Sequence, residues 1–119
     1  MYKSVKLNRE SIEILKYLKK KVLKDEGVNT TYSNILNDIC ADIVDLNIDW
    51  RLVRKTPSDL MKSNNNNSEV ISVNLSSMAI KNLKNFIIKD INKQLDLKKP
   101  HFNFLLNMIL RAFYINIQN

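Results

Sequence analysis

The sequence predicts a mainly α-helical protein carrying one two-stranded antiparallel β-ribbon, and three observations predict it. Gly occurs once and Pro twice in 119 residues, a composition that favours helices over turn-rich sandwiches and Gly-rich nucleotide loops. Two short stretches, "SVKLN" from Ser4 and "SVNLS" from Ser72, alternate polar and apolar residues with period two, the mark of a strand with one buried face. Each is followed by apolar residues at helical spacing, and the second passage repeats the first 68 positions later. A hydrophobic fraction of 45% supplies one core for a chain of this length, so the two copies are expected to share it.

The first copy, residues 1–48, opens with Val5 and Leu7 alternating with Ser4, Lys6 and Asn8. Ile12, Leu15, Leu18, Val22 and Leu23 then predict a helix from Arg9 to Glu26, with Asn8 as N-cap and Gly27, the only glycine, as the αL residue that stops it. Thr31 caps a second helix whose apolar stripe is Leu36, Ile39, Cys40 and Ile43.

The second copy, residues 70–119, repeats the pattern with Ile71, Val73 and Leu75 alternating with Ser72, Asn74 and Ser76. Ser76 takes the capping place of Asn8, and Ile80, Leu83, Ile87, Ile91 and Leu95 predict one continuous helix. After "LKKPH" the residues Leu105, Met108, Ile109, Ala112 and Phe113 predict a final helix, matching the second helix of the first copy at an offset of 69.

Residues 49–69 read as a linker. Trp50, Leu52 and Val53 either cap the core or extend the preceding helix, and Pro57 stops any helix begun there. The run "SNNNNS" at 63–68 has neither apolar content nor helix preference and reads as a flexible tether. A lone strand with two amphipathic helices cannot satisfy its own edges. The expected solution pairs the two strands antiparallel with four helices behind them, both copies forming one folded domain.

The formal charge of +7 and pI of 9.6 point to an anionic partner. Residues 1–48 carry 8 basic and 7 acidic side chains, residues 49–69 carry 4 and 3, and residues 70–119 carry 7 and 2, so the second copy holds most of the surplus. Lys16, Lys19, Lys20, Lys21 and Lys24 read as a solvated helix face, because Glu13, Asp25 and Glu26 are interleaved with or adjoin them. Cys40 is the only cysteine, which excludes an intramolecular disulfide and makes a reducing cytoplasm the expected compartment. The start lacks the apolar run of a signal peptide. "FNFLLNMILRAFYINI" is interrupted by Asn103, Asn107 and Arg111 and is shorter than the roughly 20 residues that span a bilayer; it reads as a buried helix.

No catalytic constellation is legible. The chain has one histidine, His101, one cysteine and no Gly-rich phosphate loop, so neither an enzyme, a metal site, a cofactor nor a small-molecule ligand is expected. Asp38, Asp42 and Asp45 read as an exposed helix face rather than a metal site.

The alternating "SVKLN" and "SVNLS", together with the turn "GVNTTYSNIL", carry a resemblance. Over roughly residues 2–48 and 70–117 the chain resembles the ribbon-helix-helix superfamily, typified by the Arc and methionine repressors, here as two copies in tandem. The resemblance implies a pseudo-dimer in the order strand-helix-helix, linker, strand-helix-helix, and a sequence-specific double-stranded DNA-binding transcriptional regulator, a repressor, whose ribbon enters the major groove. Alternation puts Ser4, Lys6, Asn8, Ser72, Asn74 and Ser76 on the face away from the helices, where the family contacts bases. Lys6 suits guanine acceptors and Asn74 suits adenine, giving an asymmetric ribbon in which Lys6 in one strand answers to Asn74 in the other. The family's phosphate-holding place, the start of each second helix, falls on Thr30, Thr31 and Ser33, and in the second copy on Lys98, Lys99 and His101, where Pro100 departs from the pattern.

Double-stranded DNA is therefore the expected partner, with self-association on adjacent operator elements and no membrane. The abundance of Asn, Ile and Lys suits a plasmid- or virus-encoded protein acting in the host cell interior. Two alternatives stay open: a plasmid copy-number, partition or conjugation accessory factor within the DNA-binding class, and, outside it, a helical protein-interaction module using the apolar face of residues 102–117.

Overall fold

The computed structural model describes residues 3–57, 59–62, 72–95 and 102–118. The elements run β1 (Lys3–Lys6), α1 (Arg9–Glu26), α2 (Tyr32–Asp42), α3 (Trp50–Lys55), β2 (Ser72–Leu75), α4 (Ser77–Asn82), α5 (Ile88–Leu95) and α6 (Phe102–Gln118). Short 3-10 turns lie at Ile43–Asp45 and Asp59–Lys62, and a π-helical turn, Leu83–Ile87, joins α4 to α5.

Local chemistry sets the ends of α1. Asn8 is extended and its side-chain oxygen accepts from the Ser11 amide, satisfying one of the orphan donors of the first turn. At the other end Gly27 turns to φ 66°, and its amide donates to the Leu23 carbonyl at 3.0 Å; only glycine adopts this left-handed geometry without steric cost. Thr31 caps α2 through the Asn34 amide, and Ser76 caps α4 through that of Ala79.

This order corrects the fold class expected from the sequence. The chain is mostly helical, its strand content is confined to two four-residue segments, and its halves are not copies of one strand-helix-helix unit. Two observations overturn the tandem ribbon-helix-helix pseudo-dimer. The expected linker contributes α3, where Asp49 caps the amides of Arg51 and Leu52 while Trp50 and Val53 enter the core. The expected continuous helix after β2 is instead three pieces, because the π turn inserts an extra residue and shifts the register of the apolar face between Leu83 and Ile91, both buried. The tether at 63–68 and Ile71 lie outside the described residues.

One core joins residues from both halves: Leu7, Ile12, Ile14, Leu15 and Leu18 pack with Leu36, Ile39 and Cys40, and with Val73, Leu75, Leu83 and Ile91. At its centre runs α6, with Leu105, Leu106, Met108, Ile109 and Leu110 all buried. A helix apolar around most of its circumference is stable only when surrounded, and here α1, α2 and α3 pack around it. The apolar face of residues 102–117 is thus largely spent on the core, Leu106, Leu110 and Tyr114 included, while Phe104 and Phe113 are half-buried. Cys40 is a core residue, and burial pushes its thiol up to about 12. Among the described residues no helix is long and apolar enough to cross a membrane.

Two of the three polar residues that interrupt the apolar run of α6, Arg111 and Asn107, are engaged with other elements, and so is the Tyr114 hydroxyl. The Arg111 guanidinium donates to Glu10 Oε1 through Nε (2.9 Å) and Nη2 (2.7 Å), and through Nη1 to the carbonyls of Val53 and Arg54 at the end of α3. The Ser11 hydroxyl donates to Asn107 Oδ1 at 3.1 Å. Tyr114 stacks edge-on against Tyr17 and donates its hydroxyl to Asp59 Oδ1 at 2.7 Å.

Burial first, and the neighbouring Asp59 second, raise the Tyr114 hydroxyl to about 12 from its ordinary 10. A folded-state value above the unfolded one stabilises the fold fully below pH 10 and is lost as pH climbs through 10–12. Urea midpoints measured across that window should fall more steeply for the wild type than for Tyr114→Phe, which also loses about 1 kcal/mol at neutral pH with its hydrogen bond.

Candidate nucleic-acid interface

β1 and β2 pair antiparallel with Lys3 opposite Leu75, Ser4 opposite Asn74, Val5 opposite Val73 and Lys6 opposite Ser72. Residues directly opposite each other share a face, and successive residues alternate faces. Val73 and Leu75 are buried whereas Asn74 is exposed, so the register places Ser4 with Asn74, and Lys6 with Ser72, on the face away from the core. One half of that face carries a lysine position across from a serine, the other an asparagine across from a serine. Lys6 and Asn74 do not stand opposite each other.

An isolated two-stranded ribbon is marginal in water, and this one is held by α2. The Asn74 amide donates to Ser33 Oγ at 3.0 Å, and the Asn74 carbonyl accepts from Asn37 Nδ2 at 3.2 Å. Asn37 Oδ1 in turn accepts from the Ser76 amide at 3.0 Å. Ser33 and Asn37, four residues apart and hence on one side of α2, clamp the free edge of β2 and occupy backbone groups that would otherwise template another strand.

Ser33 thus has a structural part beside the phosphate contact expected of it, since its hydroxyl hydrogen is left to donate, and Asn37 has a part that sequence reasoning missed. Thr31 is exposed, and its Oγ1 accepts from the Asn34 amide, so its hydroxyl hydrogen alone is left to donate. Thr30 is half-buried beside it. The same chemistry restricts the two caps among the expected base contacts. Asn8 and Ser76 have committed acceptors, leaving the Asn8 amide group and the Ser76 hydroxyl hydrogen as donors, which suit guanine acceptors or phosphate oxygens. Lys98, Lys99 and His101 lie outside the described residues.

Comparison with protein-family models, with curated proteins and with solved structures gives no match to this chain.

The charge around the ribbon is one-sided. Residues 3–9 and 72–78 include Lys3, Lys6 and Arg9 and no carboxylate. The next acidic residue, Glu10, is 4% exposed and held by Arg111, so its charge is neutralised within the protein. Asp38, Asp42 and Asp45 are exposed, and among the described residues no group of three or more His, Cys, Asp or Glu side chains is arranged to hold a metal ion.

Proposed function

We propose that this chain binds double-stranded DNA in a sequence-specific way through the outer face of the β1–β2 ribbon and acts as a transcriptional regulator, a repressor that occupies its operator inside the cytoplasm. The observation that carries the reading is the strand register, which gathers the positions of Ser4, Asn74, Lys6 and Ser72 on one face, with no carboxylate in residues 3–9 and 72–78. A two-stranded ribbon fits the major groove, where each base pair shows a distinct set of donors and acceptors. The net charge of +7 supplies the salt-dependent, sequence-independent part of the affinity.

The two halves of the face differ, with lysine suited to guanine in one and asparagine suited to adenine in the other. The preferred element is therefore non-palindromic. Burial of α6 weakens the alternative of an interaction module built on residues 102–117, since the apolar side chains it would use are largely enclosed.

Titration of labelled duplexes over a range of salt tests the reading. Wild type should show log affinity falling with log salt and a preference among duplexes. Lys6→Ala and Asn74→Ala should each remove about 1–3 kcal/mol of discrimination while leaving most of the salt dependence. Equal affinity for all duplexes, or discrimination untouched by both changes, contradicts it.

A further inference from the structure

Five large apolar side chains stand exposed among the described residues: Leu23, Val28, Leu46, Leu52 and Met78. Met78 sits at the start of α4 beside the ribbon. The other four form two pairs at separate places in the fold. Leu46 and Leu52, 42% and 59% exposed, line one groove of about 290 Å³ with Ile48 and Ile115, between α3 and the end of α6. Leu23 and Val28, 52% and 51% exposed, flank the Gly27 stop of α1, where the αL cap brings the last turn of the helix and the departing chain side by side.

The two patches carry opposite charge. From Asp38 to Asp49 the chain has four aspartates and no basic residue; Asp49 lines the Leu46 and Leu52 groove, Asp45 directly precedes Leu46 in the chain, and Asp42, Asp45 and Asp49 are exposed. Of the three cations on α3, Arg51 donates to the Gln94 carbonyl and Arg54 lies over the Phe104 ring, which leaves exposed Lys55 outnumbered by these aspartates. From Lys16 to Lys24 the chain has five lysines and no acid. Lys21 is taken by Asp25 at 3.1 Å and Lys19 lies over Tyr32, which leaves exposed Lys20 and Lys24 beside Leu23, outnumbering Glu26.

We infer that a second copy of this chain covers these patches, the aspartate-rimmed groove of Leu46 and Leu52 in one copy receiving the lysine-rimmed end of α1, with Leu23 and Val28, from the next. The match is apolar against apolar and negative against positive, and it joins two different surfaces, so the contact is heterologous and closes into a ring or runs as an array according to the rotation it imposes. Each copy carries +7, and the resulting repulsion opposes association. Its reach is set by salt: about 30 Å at 0.01 M and about 8 Å at 0.15 M. At physiological salt the net repulsion is thus largely screened while charges paired at the contact lie inside the screening length; at very low salt the repulsion acts over its full range, and at 1 M the charge pairing itself is screened. The contact requires no DNA.

Sedimentation of the whole chain from about 10 µM to about 500 µM, the range of a weak interface, tests this at 0.15 M salt. Wild type should exceed the monomer mass as concentration rises. Asp42→Lys/Asp45→Lys and Lys20→Glu/Lys24→Glu, all surface changes, should each weaken association at least tenfold, and an equimolar mixture of the two variants should restore a heterodimer. A wild-type chain that stays monomeric throughout, or association indifferent to both reversals, overturns the inference. So does a mixture that fails to associate when each variant alone has the circular dichroism of the wild type.

Discussion

Replacing Arg111 with methionine is expected to destabilise the fold by about 3–5 kcal/mol, the range for removing one partner of a buried ion pair. The side chains of Arg111 and Glu10 are 13% and 5% exposed, so the Glu10 carboxylate would lose both guanidinium hydrogen bonds of Arg111 inside the protein, where water cannot replace them. The same change removes the donors that satisfy the Val53 and Arg54 carbonyls at the end of α3. Against a typical total stability of about 5–15 kcal/mol, urea unfolding should show a large shift in midpoint at unchanged slope. The double variant Glu10→Met/Arg111→Met should recover most of the loss, because an apolar pair of similar volume substitutes for a buried ion pair at little cost. It should still fall about 1–2 kcal/mol short through the uncapped carbonyls. A single variant as stable as wild type would mean that the pair contributes nothing.

Trp50→Ala is expected to cost about 3–5 kcal/mol, the range for truncating a large buried aromatic side chain. Trp50 is 2% exposed and pins α3 to α5 by two further bonds: its indole Nε1 donates to Asp90 Oδ2 at 2.7 Å and its amide to Gln94 Oε1 at 2.7 Å. The Gln94 amide group then donates to the Ile48 carbonyl at 2.9 Å. Trp50→Phe keeps most of the volume and the backbone bond, and exposed Asp90 regains water, so its penalty should be less than half as large. Since Trp50 is the only tryptophan, its fluorescence reports undocking of α3 in the wild type directly. Emission that shifts at lower urea than the helical circular dichroism would show α3 leaving before the core melts.

What could be read from the sequence was what depends on neighbours along the chain. The helix from Arg9 to Glu26, with Asn8 before it and Gly27 after it, follows from capping chemistry and matches α1 residue for residue. The alternation that put Val73 and Leu75 inward and Asn74 outward likewise follows from the two-residue period of a strand. The mean spacing of apolar residues failed where tertiary packing decided. Leu23 fits the stripe of α1 yet stands exposed, while Ile14, off the stripe, is fully buried in a helix that packs against both α2 and α6. Between the two options open for Trp50, Leu52 and Val53, packing decided: Trp50 and Val53 seal the core while Leu52 stays exposed, in a separate six-residue helix too short to show a period in the sequence.

The clamp of Ser33 and Asn37 on β2 was illegible for a different cause. Its two side chains are ordinary polar residues on a helix 37 to 41 positions away from their partners, and nothing local marks them. The ion pair of Glu10 with Arg111 spans 101 positions; the interruption of an apolar run by Arg111 was visible, but not the partner that makes it tolerable.

The most direct test of DNA reading by the ribbon is selection of bound sequences from random duplex DNA at moderate salt, run in parallel with wild type and Lys6→Ala/Asn74→Ala. An enriched, non-palindromic motif is expected for the wild type, and for the double variant no motif but continued salt-sensitive binding. No enrichment by the wild type, or the same motif from both proteins, would contradict the ribbon as the reading surface.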